Sequence, residues 1–365
     1  MRRMCMVLAC AAVSFVPSSA LAQRWEVEVH GGWLSVPEIS GGTTSLPAPG
    51  ATFTTFPGVV GGPSSRRVSS WLFGDGSQLL NGVLGSNPGF NLPQRITPLD
   101  SVLNKPLADR KSGGNFGFRV SRDLTPRFTA EFNFDYAQTP MELRAGVQSG
   151  LDSTTGSFGL VFQNELFLPS LIFVGKNVTA SNSVQVEDGS EILTTGAIRV
   201  NLLTRGRFRP YVTGGAGVVK QRGSAPTASA TGAYSFQMLG SFPMSERDTV
   251  AIRQTFDESM FVGLVGGGVH IPVNQRSGIR FDVRAHLGGT TDRTLVSATP
   301  NVAVAAAAFQ IASLTTPSIS FSSFAQNIPV PPSSLSGPTI TDFTTFEASK
   351  TRTHTLFAVG YYFRF

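Results

Sequence analysis

Residues 127–138 read "RFTAEFNFDYAQ", which is the clearest alternation in this 365-residue chain. From Phe128 to Tyr136 the even-numbered residues are apolar, and the odd-numbered residues between them are polar or charged. Successive side chains of a β-strand point to opposite faces, so this pattern predicts a strand with one aromatic face and one charged face.

Seven other segments repeat the alternation, some of them weakly. Residues 278–287, "GIRFDVRAHL", and the C-terminal residues 355–365, "TLFAVGYYFRF", show it most clearly, whereas 208–222 and 258–272 are rich in glycine. Each segment has about the 9–11 residues that a tilted strand needs to cross a bilayer. The predicted strands lie near 25–36, 113–122, 127–138, 192–203, 208–222, 258–272, 278–288 and 350–365.

Short and long links alternate strictly between these segments. The short links are 123–126, 204–207 and 274–277, and the long ones are 37–112, 139–191, 223–257 and 289–349. Because every backbone polar group must be paired inside lipid, strands can span a membrane only as a closed barrel. The pattern therefore predicts an all-β fold: an eight-stranded antiparallel up-and-down transmembrane β-barrel, with both termini in the periplasm and long extracellular loops.

The N-terminus predicts export. Arg2 and Arg3 precede an apolar run at 5–16, and Ala20-Leu21-Ala22 has the form of a cleavage site, so residues 1–22 are expected to be a signal peptide. A lipoprotein box ending at Cys10 is the alternative, although cleavage there would leave an unusually short apolar region. Both cysteines lie in this segment, so no disulfide or thiol chemistry is expected in the mature chain. Lys and Arg nowhere form a dense run, which argues against a nucleic-acid partner.

The signal peptide, the eight alternating segments and the closing "AVGYYFRF" together resemble the small outer-membrane β-barrel superfamily, which includes OmpA-like and OmpX-like barrels. The resemblance implies location in a bacterial outer membrane, contact with its lipids and lipopolysaccharide, and recognition of the C-terminal strand by the barrel-assembly machinery. Unlike in OmpA, we expect no peptidoglycan-binding domain after the barrel, and the predicted loops are far longer than the family minimum.

The polar face of the predicted strands carries many charges that would lie in the barrel lumen. An eight-stranded barrel is only wide enough for side chains to fill, so opposite charges there must pair. We expect an ion-pair core that plugs the barrel rather than a gated pore or proton path. The lumen residues predicted are Glu26, Glu28, Arg119, Glu131, Asp135, Arg199, Arg280, Asp282, Arg284, Arg352 and Arg364.

No motif points to a catalytic, cofactor-binding or metal site. All four histidines (His30, His270, His286 and His354) fall on the polar parity, and the last two can approach each other on neighbouring strands. Without a fixed carboxylate partner they are weak evidence for a metal. The glycine-rich 263–270 lies within a strand rather than before a helix, so it does not predict a phosphate loop. No G-x-S-x-G motif is present, and we expect neither an enzyme nor a cofactor.

The long links contain three apolar stretches, at 69–85, 156–175 and 301–313. We expect them to form short helices that pack together as an external cap. The sequence thus favours a non-enzymatic outer-membrane protein with a structural or surface-interaction role, whose loops can bind an extracellular partner. A small porin or a conduit for small or hydrophobic solutes is the alternative, and a lipid-modifying enzyme is a third class.

Overall fold

The structure is a computed structural model. It describes residues 24–47, 53–54, 65–66, 70–86, 95–163, 166–168, 171–173, 177–238, 244–304 and 340–365. The predicted signal peptide lies outside these residues.

The described residues form mostly β-strands, with three helices. The strands are β1 (Trp25–Ser35), β2 (Thr43–Thr44), β3 (Phe53–Thr54), β4 (Ser65–Arg66), β5 (Ala108–Arg110), β6 (Gly113–Asp123), β7 (Phe128–Gln138), β8 (Met141–Leu143), β9 (Leu166–Leu168), β10 (Leu171–Phe173), β11 (Thr179–Gln185), β12 (Ser190–Asn201), β13 (Arg209–Arg222), β14 (Thr227–Met238), β15 (Met244–Phe256), β16 (Ser259–Pro272), β17 (Ser277–Val304) and β18 (Ile340–Arg364). The helices are α1 (Gly74–Ser86), α2 (Asp100–Leu103) and α3 (Val147–Phe162).

Antiparallel pairing closes a ring through eight of these strands. Its order is β1, β6, β7, β12, β13, β16, β17 and β18, and β18 pairs back onto β1. The predicted all-β class and antiparallel pairing are therefore confirmed, and each predicted segment overlaps one ring strand. The main sheet as a whole has fourteen strands, more than the sequence predicted.

The ring has a short-link end and a long-link end. The short links and both ends of the described chain meet at the first of these, where Trp25 N donates to Phe365 O at 3.2 Å. At the other end β17 and β18 extend far beyond their neighbours, with 28 and 25 residues.

The extra strands come from links that the sequence predicted as loops. The far part of β17 pairs with β15, β15 pairs with β14, and β14 pairs with β11. The prediction that 223–257 is a loop is therefore wrong over β14 and β15, and β17 does not end near residue 288. Beyond Gly288–Gly289, the even-numbered residues of β17 still face inward, and Thr290, Thr294 and Val296 are all buried. The glycine pair and the threonines obscured this alternation.

The three predicted loop helices have different outcomes. The stretch 69–85 contains most of α1, but α3 begins at Val147, well before residue 156. Residues 166–168 and 171–173 are strands β9 and β10, 301–304 end β17, and 305–313 lie outside the described residues. The first half of α3 was missed because polar residues separate Val147 and Leu151, which are buried at helical spacing.

Beyond the long-link end these elements form a cap, which we define as α1 to α3, β9 to β11, β14, β15 and the part of β17 after Asp292. The cap has its own hydrophobic core, in which Phe158 stacks on Phe162 with ring centroids 4.4 Å apart. The buried members of this core are Trp71, Leu72, Phe73, Leu80, Ile96, Leu99, Val102, Leu103, Leu107, Val147, Leu151, Phe158, Val161, Phe162, Ala228, Ala230, Tyr234, Val250, Ile252, Val296 and Ala298. None of the helices that the structure describes is long and apolar enough to cross a membrane.

Candidate functional site

The interior of the ring holds the charged side chains that the alternation placed on one face. Nine of the eleven predicted lumen residues are at most 5% exposed, and Arg352 and Arg364 are partly exposed. The nine are Glu26, Glu28, Arg119, Glu131, Asp135, Arg199, Arg280, Asp282 and Arg284. Charges removed from water to this degree require partners of opposite sign.

Glu131 on β7 lies at the centre of the interior network. Its Oε1 accepts from Arg199 Nη1 at 2.9 Å and from Arg280 Nη1 at 3.3 Å. Its Oε2 accepts from Arg284 Nη2 at 2.8 Å, and Arg119 Nε lies 3.9 Å away. One carboxylate on β7 thus connects arginines from β6, β12 and β17.

Glu26 on β1 joins the strands nearer the short-link end. It accepts from Arg280 and, at 2.7 Å, from Arg364 Nε of β18. Arg199 Nη1 lies 3.3 Å from the same carboxylate. Glu26 therefore ties the first and last strands of the ring to β12 and β17.

Asp282 completes the network on the side of β17. It accepts from Arg119 Nη2 at 2.5 Å and from Arg284 Nε at 2.7 Å, and Arg119 also donates to Asn133. Glu28 lies 3.2 Å from Arg119 Nη1. The four fully buried guanidiniums of this layer, those of Arg119, Arg199, Arg280 and Arg284, each contact more than one carboxylate among the described residues, so their charges are compensated.

Two glycines make room for this layer. A Cβ at Gly360 would overlap the Glu28 carboxylate, and a Cβ at Gly268 would overlap the Tyr211 ring. Gly268 thus allows close packing within the glycine-rich strand β16. Near the short-link end the His270 ring lies 5.1 Å from Tyr211 and 5.0 Å from Tyr362, and aromatic rings fill the interior there.

A buried apolar layer crosses the interior between the ion pairs and the long-link end. Leu34 of β1 lies opposite Leu356 of β18, and Leu193 of β12 lies opposite Val219 of β13. All members of this layer are at most 6% exposed. They are Leu34, Val36, Ala137, Leu193, Val219, Met260, Val262 and Leu356.

A second polar group lies beyond the apolar layer. Glu191 Oε2 is 3.1 Å from His354 Nδ1, and its Oε1 is 3.7 Å from Arg110 Nε. His286 lies directly opposite His354 across β17 and β18, as their neighbouring positions predicted. Within the described residues no group of three or more His, Cys, Asp or Glu side chains could hold a metal ion.

Sequence reasoning missed Arg110 and Glu191. Arg110 comes from β5 inside a predicted loop, and no local pattern indicates that it enters the ring. Glu191 was placed at the end of the loop 139–191, yet it has the same odd parity as the inward-facing Leu193 and Arg199. Extending the alternation by two residues would have found it.

The outer face of the ring is apolar. Most of its large hydrophobic side chains are at least 36% exposed, while the charges lie inside, which reverses the arrangement of a water-soluble domain. Aromatic residues stand at both ends of this band, as at Trp33 and Phe363. The exposed apolar residues are Val27, Val29, Trp33, Phe116, Phe118, Phe128, Phe132, Ile198, Val212, Val218, Phe261, Val265, Ile279, Phe281, Val283, Leu287, Phe357, Val359, Tyr361 and Phe363.

A buried carboxylate of the cap anchors the segment before α1. Asp248 on β15 accepts from Ser70 Oγ at 2.9 Å and from Trp71 N at 2.7 Å. Trp71 Nε1 donates to Tyr234 Oη at 2.6 Å, and Tyr234 donates to Glu246. Burial raises the pKa of Asp248 to about 7, against the lowering effect of these two hydrogen bonds.

Comparisons with known proteins leave the family open. No protein-family model matches the chain, and no curated protein matches it. One solved structure found is the P. putida toluene transporter TodX, at 10% identity and a TM-score of 0.17, covering 97% of this chain and 92% of that one. A TM-score this low carries no argument about fold or function.

Proposed function

We propose that this chain is a bacterial outer-membrane protein whose eight-strand ring spans the bilayer as a closed barrel. The observation that carries the proposal is the reversal of polarity across the ring wall. A continuous band of exposed Phe, Val, Ile and Trp surrounds a set of buried ion pairs. Transfer of such a band from water to hydrocarbon is favourable, and it would be a large aggregation-prone surface on a soluble protein.

The strand geometry supports this placement. β1, β6 and β7 have 11 residues each, which suits a tilted transmembrane strand of ~9–11 residues. The pairing around the ring leaves no free edge within the apolar band, as lipid demands. The short-link end would then face the periplasm and the cap would face outward, with the last strand read by the barrel-assembly machinery.

We further propose that the barrel conducts no ions. The buried ion pairs and the apolar layer above them both cross the interior, and a small eight-stranded ring leaves no other path. This argues against the porin alternative. Planar-bilayer recording of the purified chain tests it: we expect no steady conductance, and stepwise channels at neutral pH would contradict the closed interior.

We propose that the role is non-enzymatic and lies in the cap, as a structural element of the envelope or a surface that binds an extracellular partner. A cap with a hydrophobic core of this size is expected to be a rigid platform rather than a set of mobile loops.

Protease treatment of intact cells tests the location and order of the cap together. We expect cleavage only at exposed connections, with 70–86 and 147–162 resistant until the cells are heated. Rapid cleavage inside α3 would refute an ordered cap, and complete resistance even after heating would refute its external location.

A further inference from the structure

The edge of β18 is open over a short stretch just beyond the apolar band. β1 ends at Ser35, opposite Thr355, and β2 resumes the pairing only at Glu347, opposite Thr43. Between these points residues 348–354 pair with β17 on one side, and no described strand pairs with their other edge. Alternate backbone N–H groups of an antiparallel strand point toward each side, so some of them face this opening.

A cavity of about 270 Å³ fills the opening. We call it the β18 notch, and its lining residues are Pro37, Glu38, Ile39, Ser40, Ala348, Lys350, Thr351, Arg352 and Thr353. Its volume is slightly below the ~300–1,000 Å³ of typical small-molecule sites, which suits a single head group rather than a larger ligand.

One cation of the notch has no ion-pair partner among the described residues. Glu38 is neutralised by Lys111 Nζ at 2.7 Å, and Arg352 donates to Asp292. Lys350 forms no ion pair with any described residue. Its Nζ lies beside Gly41, where a Cβ would come within 2.6 Å of it. The notch therefore presents one unneutralised ammonium.

The wall opposite β18 is held in place. Arg144 Nη2 donates to Ile39 O at 2.6 Å, and Arg144 is itself paired with Asp109 at 2.8 Å. On the far side Ser45 N donates to Thr345 O at 2.9 Å. The opening is thus fixed on both sides and need not form when a ligand arrives.

We propose that the β18 notch binds a phosphate group, with Lys350 as its counter-charge. Ser40 lines the same cavity, and its hydroxyl and the N–H groups on the open edge of β18 are neutral donors beside the ammonium, which suits the several oxygens of a phosphomonoester. Thr351 and Thr353 also line the cavity, but their side chains alternate with Lys350 along β18 and project to the other face of the strand. Thr353, the notch residue nearest the outer band, lies two residues from Thr355 towards the long-link end. In that direction Phe357 is the last aromatic residue of the outer band on β18. If the barrel spans the membrane as proposed above, this is the depth of lipid phosphates in the outer leaflet.

Lipid binding by the full chain tests the proposal. The chain is placed in phosphatidylcholine nanodiscs containing lipid A with two phosphates or the same lipid A after dephosphorylation, and bound lipid is counted by native mass spectrometry. We expect about a tenfold preference for the phosphorylated lipid, which Lys350→Ala abolishes. Lys220→Ala is the matched control, because Lys220 is also exposed, has no ion pair among the described residues and lies on β13, three strands away from β18 around the ring. It should keep the preference.

A second arm identifies the source of the phosphate. Inorganic phosphate is titrated into the detergent-solubilised chain: saturation that depends on Lys350 would show that free phosphate suffices, and absence of saturation would assign the notch to lipid head groups. Equal lipid binding by wild type and Lys350→Ala, or no effect of dephosphorylation, would overturn the proposal. Quenching of Trp33 by brominated lipid reports insertion separately. If the chain fails to insert but still binds phosphate, the membrane assignment is rejected and the phosphate site in the notch stands.

Discussion

Glu131→Gln tests whether the buried ion pairs hold the ring together. The substitution keeps the shape of the side chain and removes the charge shared by Arg199, Arg280 and Arg284, which lie 2.8–3.3 Å from its oxygens. Each of these arginines retains another carboxylate, so the loss is smaller than that of a single isolated pair. Breaking a buried pair costs ~3–5 kcal/mol, and we expect a value near the lower end, about 3 kcal/mol.

The assay is urea unfolding of the chain from lipid vesicles, followed by tryptophan fluorescence. A loss of about 3 kcal/mol corresponds to a fall of roughly two orders of magnitude in the folding equilibrium constant. Glu38→Gln is the control, since Glu38 also forms a close pair with a cation but is exposed, and its midpoint should not change measurably. Equal midpoints for the two variants would refute the view that the interior charges stabilise the ring.

Three further predictions concern the outer face and the cap. Phe118→Arg on the apolar band should lower the free energy of unfolding from vesicles by ~2–4 kcal/mol. Leu160 on α3 is equally exposed, and Leu160→Arg should be tolerated. Equal effects of the two substitutions would contradict the membrane placement. Phe158→Ala should cost ~3–5 kcal/mol through the cavity left in the cap core and should make α3 sensitive to protease while the ring stays folded. Because burial raises the pKa of Asp248 above its unfolded value, the cap should be most stable below about pH 4 and should lose stability as pH rises through 7. Hydrogen exchange of the cap should show this pH dependence. Asp248→Asn should abolish it.

Much of the ring could be predicted from local pattern. A period of two residues is a property of each strand alone, and it identified the eight segments and the parity of Glu131 and Arg280 before any pairing was known. Short links then implied antiparallel neighbours. These inferences held because each needs only residues that are close in the sequence.

The partners of those charges, and the cap, needed the folded chain. Glu131 meets Arg284 across 153 positions of sequence, and Arg110 reaches Glu191 from another link. Such contacts depend on how the strands are staggered around the ring, which no single segment specifies. The break beside residues 348–354 of β18 is likewise invisible in the sequence, because residues 349–354 are all polar and do not indicate where the neighbouring chain departs from β18. Local periodicity fixes which way a side chain faces, and closure of the ring fixes what it meets there.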